Sequence, residues 1–339
     1  MNQQTQEAPA QELRQIEMQH FNHPWFVAVW PGMGQIAISA GYYLMAKLGM
    51  HVFAEFSPRE LFDVEHVEVE GGIIHQSRLP RSRCFVWRDP NQKHDIILFI
   101  GEAQPPGGKR AFCQALIQFA KSLGVERVYT FAAMATPMHP EHVSRVFAAA
   151  TNEEILLELT GLGCKVLEEG HIGGLNGVVL GEAKEAGLPG ACLLGEMPHI
   201  FSQLMFPGAS LAVLKIFSAL TGVTIDLDEL IEQSDELGRK LGEILAQVEG
   251  RLQSARDANE VEPSEEFQPE QEQEEEVVEP EPIPENKLSF ENERRIAQLF
   301  SEARADRSKS YELKQELDRL NVFHEYENQF LDLFQKPEE

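Results

Sequence analysis

The chain has 339 residues, 42% of them hydrophobic, and carries 55 Asp and Glu against 29 Lys and Arg, a formal net charge of −26. That length and apolar content suit one large globular domain with appendages. An acidic excess of this size disfavours a nucleic-acid backbone or an anionic membrane as partner, and half of it sits in residues 257–285, which hold 13 acidic residues and no Lys or Arg.

Residues 1–23 read as a polar, flexible arm with a helical tendency at Glu12–Met18. The opening MNQQTQEAPAQELRQIEMQH has neither a basic n-region nor an apolar h-region, so no signal peptide is expected there. No uncharged apolar stretch reaches membrane-spanning length, and a cytoplasmic location is expected. Cys84, Cys113, Cys164 and Cys192 form no CxxC pair and sit in apolar runs, as reduced core thiols do.

The core begins at PWFVAVWPGMGQ (24–35), a buried strand running into a Gly-rich turn. Ile36, Ala40, Leu44 and Leu48 then fall at helical spacing, Gly49 ends the helix, and HVFAEF (51–56) is a second strand. In residues 64–88, VEHVEVE and IIHQSR alternate apolar and polar around Gly71-Gly72, the pattern of a hairpin. CFVWR follows after Pro80, and the region reads as an antiparallel flap or extension.

From His94 the pattern changes. The apolar runs HDIILFIGE (94–102), RVYTFAAMATP (127–137), RVFAAAT (145–151) and ACLLGEMP (191–198) alternate with helical stretches at 109–124, 152–163 and 174–188. Such alternation predicts an α/β fold with a mostly parallel sheet covered on both faces. Working residues in such a sheet lie at the carboxyl ends of its strands. The helix at 109–124 gathers Phe112, Ala115, Leu116, Phe119, Ala120 and Leu123 on one face. Pro207-Gly208 opens another helix, and Asp226 caps a last core helix running through Leu230, Leu237, Leu241, Leu245 and Val248.

Residues 24–249 are therefore expected to fold as one core domain. Residues 250–286, rich in Glu, Gln and Pro, are expected to be a disordered acidic linker. A helical tail, 287–335, follows. In it Phe323, Tyr326, Phe330 and Phe334 are spaced by three, four and four residues, one face of a helix. Such a stripe needs a cover, either this chain's own core or another protein. Tethering through the linker favours the core.

Five places could carry chemistry. Pro31-Gly32-Met33-Gly34 turns from strand to helix, where backbone N–H groups can hold an anion, but no GxGxxG or Walker pattern is present and a tight turn explains the glycines as well. Glu102 ends a strand and could act as a general base, or could equally serve as a charge at a helix start. His139 and His142 flank Pro140-Glu141 in a loop with no fixed face and no third ligand, so no metal is expected. Glu196 and His199 form E-x-x-H, but Pro198 breaks the helix a zincin needs. Asn176, between Gly174 and Gly177, reads as a helix cap or a ligand contact, capping being the simpler role. No nucleophile elbow and no cofactor motif is found.

The segments GEAQPPGGKRAFCQALIQFAKSLGVERVYTFAAMATPMHPEHVSRVFAAATNEEIL, HIGGLNGVVLGEAKEAGLPGACLLGEMP and PGASLAVLKIFSALTGVTIDLDEL resemble the proteasome assembly chaperone family (type 2) across residues 24–249. The resemblance implies a three-layer α/β/α fold related to nucleoside phosphorylases and hydrolases. It also implies self-association into a homo-oligomer and a protein partner, a proteasome-related one among the possibilities. By position, Gly32 and Gly34 match the family's first glycine loop, Glu102 the polar end of the strand before the long helix, Asn176 and Gly177 the glycine motif, and Glu196 the end of the next strand. None has an assigned catalytic role in the family, so these are crevice candidates. Archaeal members dock on proteasome rings through a C-terminal hydrophobic–Tyr–any-residue tail. This sequence ends Lys336-Pro337-Glu338-Glu339, so docking by that route is not expected.

The first reading is a non-catalytic, oligomeric interaction or assembly protein. The competing reading is a phosphorylase or hydrolase of nucleoside-like molecules working in that crevice. It would need cations around a phosphate, for which Lys109, Arg110 and Arg145 are the candidates. A third reading makes the core a spacer and the tail an adaptor.

Overall fold

The computed structural model describes residues 20–56, 61–62, 67–76, 79–259 and 288–335. The expected helical tendency at Glu12–Met18 and most of the acidic linker lie outside them. Ten strands are described: β1 (Trp25–Val29), β2 (His51–Phe56), β3 (Val67–Glu70), β4 (Ile73–Gln76), β5 (Ser82–Trp87), β6 (Ile96–Gly101), β7 (Arg127–Thr136), β8 (Val146–Ala150), β9 (Lys165–Val166) and β10 (Gly190–Pro198). The core helices are α1 (Ile36–Lys47), α2 (Lys109–Ser122), α3 (Glu153–Gly161), α4 (Gly174–Glu185), α5 (Pro207–Thr221) and α6 (Asp228–Asn259). The tail contributes α7 (Phe290–Ala305), α8 (Ser310–Arg319) and α9 (Phe323–Asp332).

Eight strands form one sheet in the order β2-β5-β6-β1-β7-β10-β8-β9. Its centre, β6-β1-β7-β10, is parallel throughout. Every residue of β1, β6 and β10 is buried, as strands covered on both faces require. The alternating pattern thus gives the mostly parallel sheet expected of it, with two differences in direction. β8 runs antiparallel to β10, because the loop 137–145 before it is too short for a parallel crossover. β5 likewise lies antiparallel between β2 and β6. It therefore extends the main sheet, while the flap is reduced to the separate β3-β4 hairpin. Gly71 and Gly72 turn that hairpin with φ of 59° and 81°, as a two-residue turn with left-handed central residues demands.

Helices α2 and α4 pack together on one face of the sheet. The other face carries α1, α5 and α3. A further layer lies outside α1 and α5: α6 packs on α5, and the tail helices pack on α1. Every residue of α1 from Ile36 to Ala46 is buried. α6 begins just after Asp226, whose Oδ1 accepts the Asp228 N–H, and it continues past the expected boundary at 250 to Asn259. All four cysteines are free and buried. Burial pushes each thiol pKa up, so none is poised as a thiolate nucleophile.

The tail's aromatic stripe is seated on the chain's own core. Phe323 and Phe330 meet the Tyr42 ring edge-on at 5.3 and 5.8 Å, and the Tyr42 hydroxyl donates to Glu327 Oε1 at 2.7 Å. Phe334 packs edge-on against Phe85 of β5, and its carbonyl accepts the Val52 N–H of β2 at 2.9 Å. Tyr326 faces Phe300 of α7 at 5.9 Å. The buried Lys314 ammonium lies 4.3 Å from the Phe323 ring centre and 2.6 Å from the Asp318 carboxylate. Of the two covers the sequence left open, the structure takes the first.

Candidate functional site

The carboxyl ends of β6, β1, β7 and β10 lie side by side along one edge of the sheet, so the sequence-predicted crevice residues share that edge. They do not converge. Glu102 directly follows β6 and Glu196 lies near the carboxyl end of β10, three strand spacings apart, or about 14 Å across the sheet.

Glu196 is almost fully buried, with 1% of its surface exposed. Its two oxygens are taken by Thr136 Oγ1, which donates to Oε1 at 2.7 Å, and by Arg145, whose Nε donates to Oε2 at 2.6 Å and whose Nη2 donates to Oε1. The Arg145 backbone N–H adds a longer bond to Oε2 at 3.3 Å. The Arg145 guanidinium therefore holds the Glu196 carboxyl below the usual glutamate range, against the opposing effect of burial. A carboxylate so fixed is a poor general acid or base near neutral pH. It anchors the loop 137–145 to the sheet. A cavity of about 380 Å³ opens beside it, lined by Thr136, Pro137, Met138, His142, Arg145 and Glu196 among others.

The glycine turn is equally occupied. Gly34 and Gln35 both adopt the left-handed region, with φ of 61° and 50°. A Cβ on Gly34 would be strained at that φ and would stand 2.6 Å from Met197 Sδ, which would have to shift. The Gly34 N–H donates to Ser202 O, the Gln35 N–H to Gly32 O, and Gly34 O accepts from Phe206 N. Two N–H groups of a would-be anion cradle are thus spent in stapling the turn to the loop after β10. Gly32 is exposed in extended backbone.

Glu102 is half-buried and exchanges bonds with Arg81: its Oε2 accepts the Arg81 N–H at 2.8 Å, and its own N–H donates to Arg81 O at 3.0 Å. Asn176 does not cap α4. The N-cap is Gly173, and the Leu175 N–H of the first turn is satisfied by Gln104 Oε1 at 3.1 Å from across the edge. Gln104 also donates to Pro31 O at 3.3 Å, so this one side chain ties together the ends of β1, β6 and α4. Asn176 instead lies inside the helix, its carbonyl accepting from Thr130 Oγ1 at 3.1 Å and its Oδ1 buried without a hydrogen-bond partner among the described residues. Gly177 is required by close approach, because a Cβ there would fall 2.0 Å from Ile172 O.

The proposed phosphate cations are dispersed. Arg110 pairs with Glu182 at 2.7 Å and Glu185 at 3.0 Å, Arg145 pairs with Glu196, and Lys109 is exposed at the start of α2. The rings of His139 and His142 lie 5.5 Å apart, and among the described residues no three His, Cys, Asp or Glu side chains group as metal ligands. No helix of the described residues is long and apolar enough to cross a membrane. Sequence reasoning missed Gln104, Arg81 and Thr136. It met Arg145 only as a phosphate candidate, since nothing announced the antiparallel pairing that brings it to Glu196.

A mostly parallel sheet with helices on both faces and added C-terminal helices defines an α/β protein. The chain belongs to the PAC2 family, which it matches over residues 26–245. It is similar to the crystal structure of PbaB from Pyrococcus furiosus, described as an archaeal proteasome activator, with 26% identity, a TM-score of 0.57, and coverage of 69% of this chain and 96% of that one. A proteasome-assembly chaperone homologue of Mycobacterium tuberculosis shares the fold at 22% identity and a TM-score of 0.56, covering 65% and 94% of the two chains. An uncharacterised protein of Methanocaldococcus jannaschii is 26% identical over 234 residues, 67% of this chain and 84% of that protein.

Proposed function

We propose that the protein is a non-catalytic, homo-oligomeric interaction scaffold of the assembly-chaperone kind, acting on a protein partner related to the proteasome. The observation that carries this reading is Glu196. It is the most buried acid of the strand-end edge, and its oxygens are filled by Arg145 and Thr136 rather than turned to a substrate. The likeness to an archaeal proteasome activator supplies the partner class. The enzyme reading draws no support from the cations, since Arg110 and Arg145 are each engaged by carboxylates.

The test mixes the full-length chain with purified proteasome core particle from the same cell and follows both by sedimentation velocity. Self-association of the chain and its co-sedimentation with the particle are expected. Failure to associate, together with turnover of nucleosides at roughly 1 per second or more that is lost in both Glu102→Gln and Glu196→Gln, would put the enzyme reading first.

A further inference from the structure

A second and larger cavity, of about 540 Å³, lies between α5, α6, the edge strand β9 and the loop that carries Ser144, and shares His142, Val143 and Arg145 with the cavity beside Glu196. That volume falls within the range of small-molecule sites. Its walls are two helical stripes. α5 gives Leu211, Ala212 and Ile216, and α6 gives Ile231, so the body of the cavity is apolar. Its shape is set by close packing of the loop on α6. Cβ atoms on Gly238 and Gly242 would fall 3.0 Å from Pro140 O and 2.1 Å from Glu141 Oε1.

One end of this cavity is polar and built for an acceptor. Pro207 has no N–H, so the first N–H of the 15-residue helix α5 is that of Gly208, which lines the cavity. The Ser234 and Ser144 hydroxyls converge on that position: a Cβ on Gly208 would stand 3.0 and 3.5 Å from their oxygens. Ser144 is 9% exposed, and its Oγ has no hydrogen-bond partner among the described residues. A buried hydroxyl without a partner is costly, and one lining a cavity at a helix N-terminus is satisfied when an anion occupies it. Arg239, one turn beyond Asp235 on α6, lines the same cavity, as do Lys215 and Lys165. None of these three cations makes a salt bridge among the described residues, in a chain where acids outnumber bases 55 to 29. The acids of the lining are Asp235 and Glu141, and the Glu141 carboxylate is turned onto α6 at Gly242.

We propose that this cavity is a binding site for a small amphipathic oxyanion. The headgroup, a carboxylate or a phosphate monoester, accepts from Ser144, Ser234 and the Gly208 N–H beside Arg239. An aliphatic or aromatic body lies against Leu211, Ala212, Ile216 and Ile231. The headgroup contacts use neither Glu196 nor any strand-end candidate, although Arg145, which pairs with Glu196, also lines the cavity.

Calorimetric titration of the full-length chain with octyl phosphate, octanoate, 1-octanol and inorganic phosphate tests it. At least one of the two amphipathic anions should bind once per chain, about tenfold more tightly than octanol or inorganic phosphate, and the stronger of the two identifies the headgroup. Ser144→Ala and Arg239→Gln should each weaken that anion by about three- to tenfold and leave octanol unaffected. Should Ser144→Ala fail to fold, Lys215→Gln, a change at an exposed position, takes its place with the same expectation. No one-to-one binding of either anion, equal binding of octanol, or unchanged affinity in folded variants would overturn the assignment. The proteasome co-sedimentation is scored separately, so the two readings can fail apart.

Discussion

The two helical faces of the sheet are closed in different ways. On one face α2 and α4 form a single layer. Phe112, Cys113, Leu116, Ile117, Phe119 and Ala120 of α2 point inward, while Gln114, Gln118 and Lys121 meet water. On the other face α1 is buried all round, and the tail covers its far side through Tyr42 and Tyr43. An amphipathic helix needs one neighbour, whereas a helix apolar on every side needs a second layer. The tail is that second layer, joined to the core through residues that carry much of the chain's negative charge.

Removing residues 287–339 should have the largest effect on this asymmetry. We propose that residues 24–249 still fold, but with Tyr42, Tyr43 and the outer face of α1 in water. Each large side chain so exposed forfeits about 1.5–3 kcal/mol. The melting temperature should fall by on the order of 10 °C, with a gain in apolar-dye binding. An unchanged melt would break the comparison. Phe330→Ala, at the centre of the contact, should cost about 3–5 kcal/mol in urea unfolding, as much as Phe112→Ala on the opposite face. A cost near zero would mean that the tail rests on α1 without sharing its core.

Tyr42→Phe isolates the polar part of the same contact. It removes the 2.7 Å bond to the buried Glu327 carboxylate and should cost about 1.5–3 kcal/mol. The strand-end ion pair supplies a pH signature away from both faces. Glu196 has a depressed folded-state pKa, so its contribution is present above the ordinary glutamate value and is lost as pH falls through the lower folded value. In Arg145→Gln the buried carboxylate loses its cation and its titration, followed by NMR, should move up. A midpoint that stays put would remove Arg145 as the cause. Smallest of all, Gln118→Ala on the wet side of α2 should stay within about 0.5 kcal/mol of the parent.

How far the sequence reaches follows from the kind of signal each part carries. The central strands were legible because continuous apolar runs bounded by turns have few other uses, and α2 because one face is apolar. Strand direction at the edges was not, since RVFAAAT reads the same whichever way it runs, and only the length of the preceding loop gives β8 away. The extra layer had a signal that a single spacing left unread: AISAGYYLMA offers no polar face to water. The candidate site was legible only in its parts. Glu102, Asn176 and Glu196 were found at strand and helix ends, where polar groups stand out. What holds the two glutamates was not, because Arg81 and Arg145 reach them through pairings distant in sequence. The cap expected of Asn176 is supplied by Gln104, from a different loop altogether.

Hydrogen exchange at the α1 amides, compared between the full chain and the chain ending at residue 286, tests most directly whether the tail is a structural layer rather than a free arm. The account predicts that α1 is protected as well as α2 in the full chain and loses protection selectively when the tail is absent, while α2 is unaffected. Equal protection of α1 with and without the tail would contradict it.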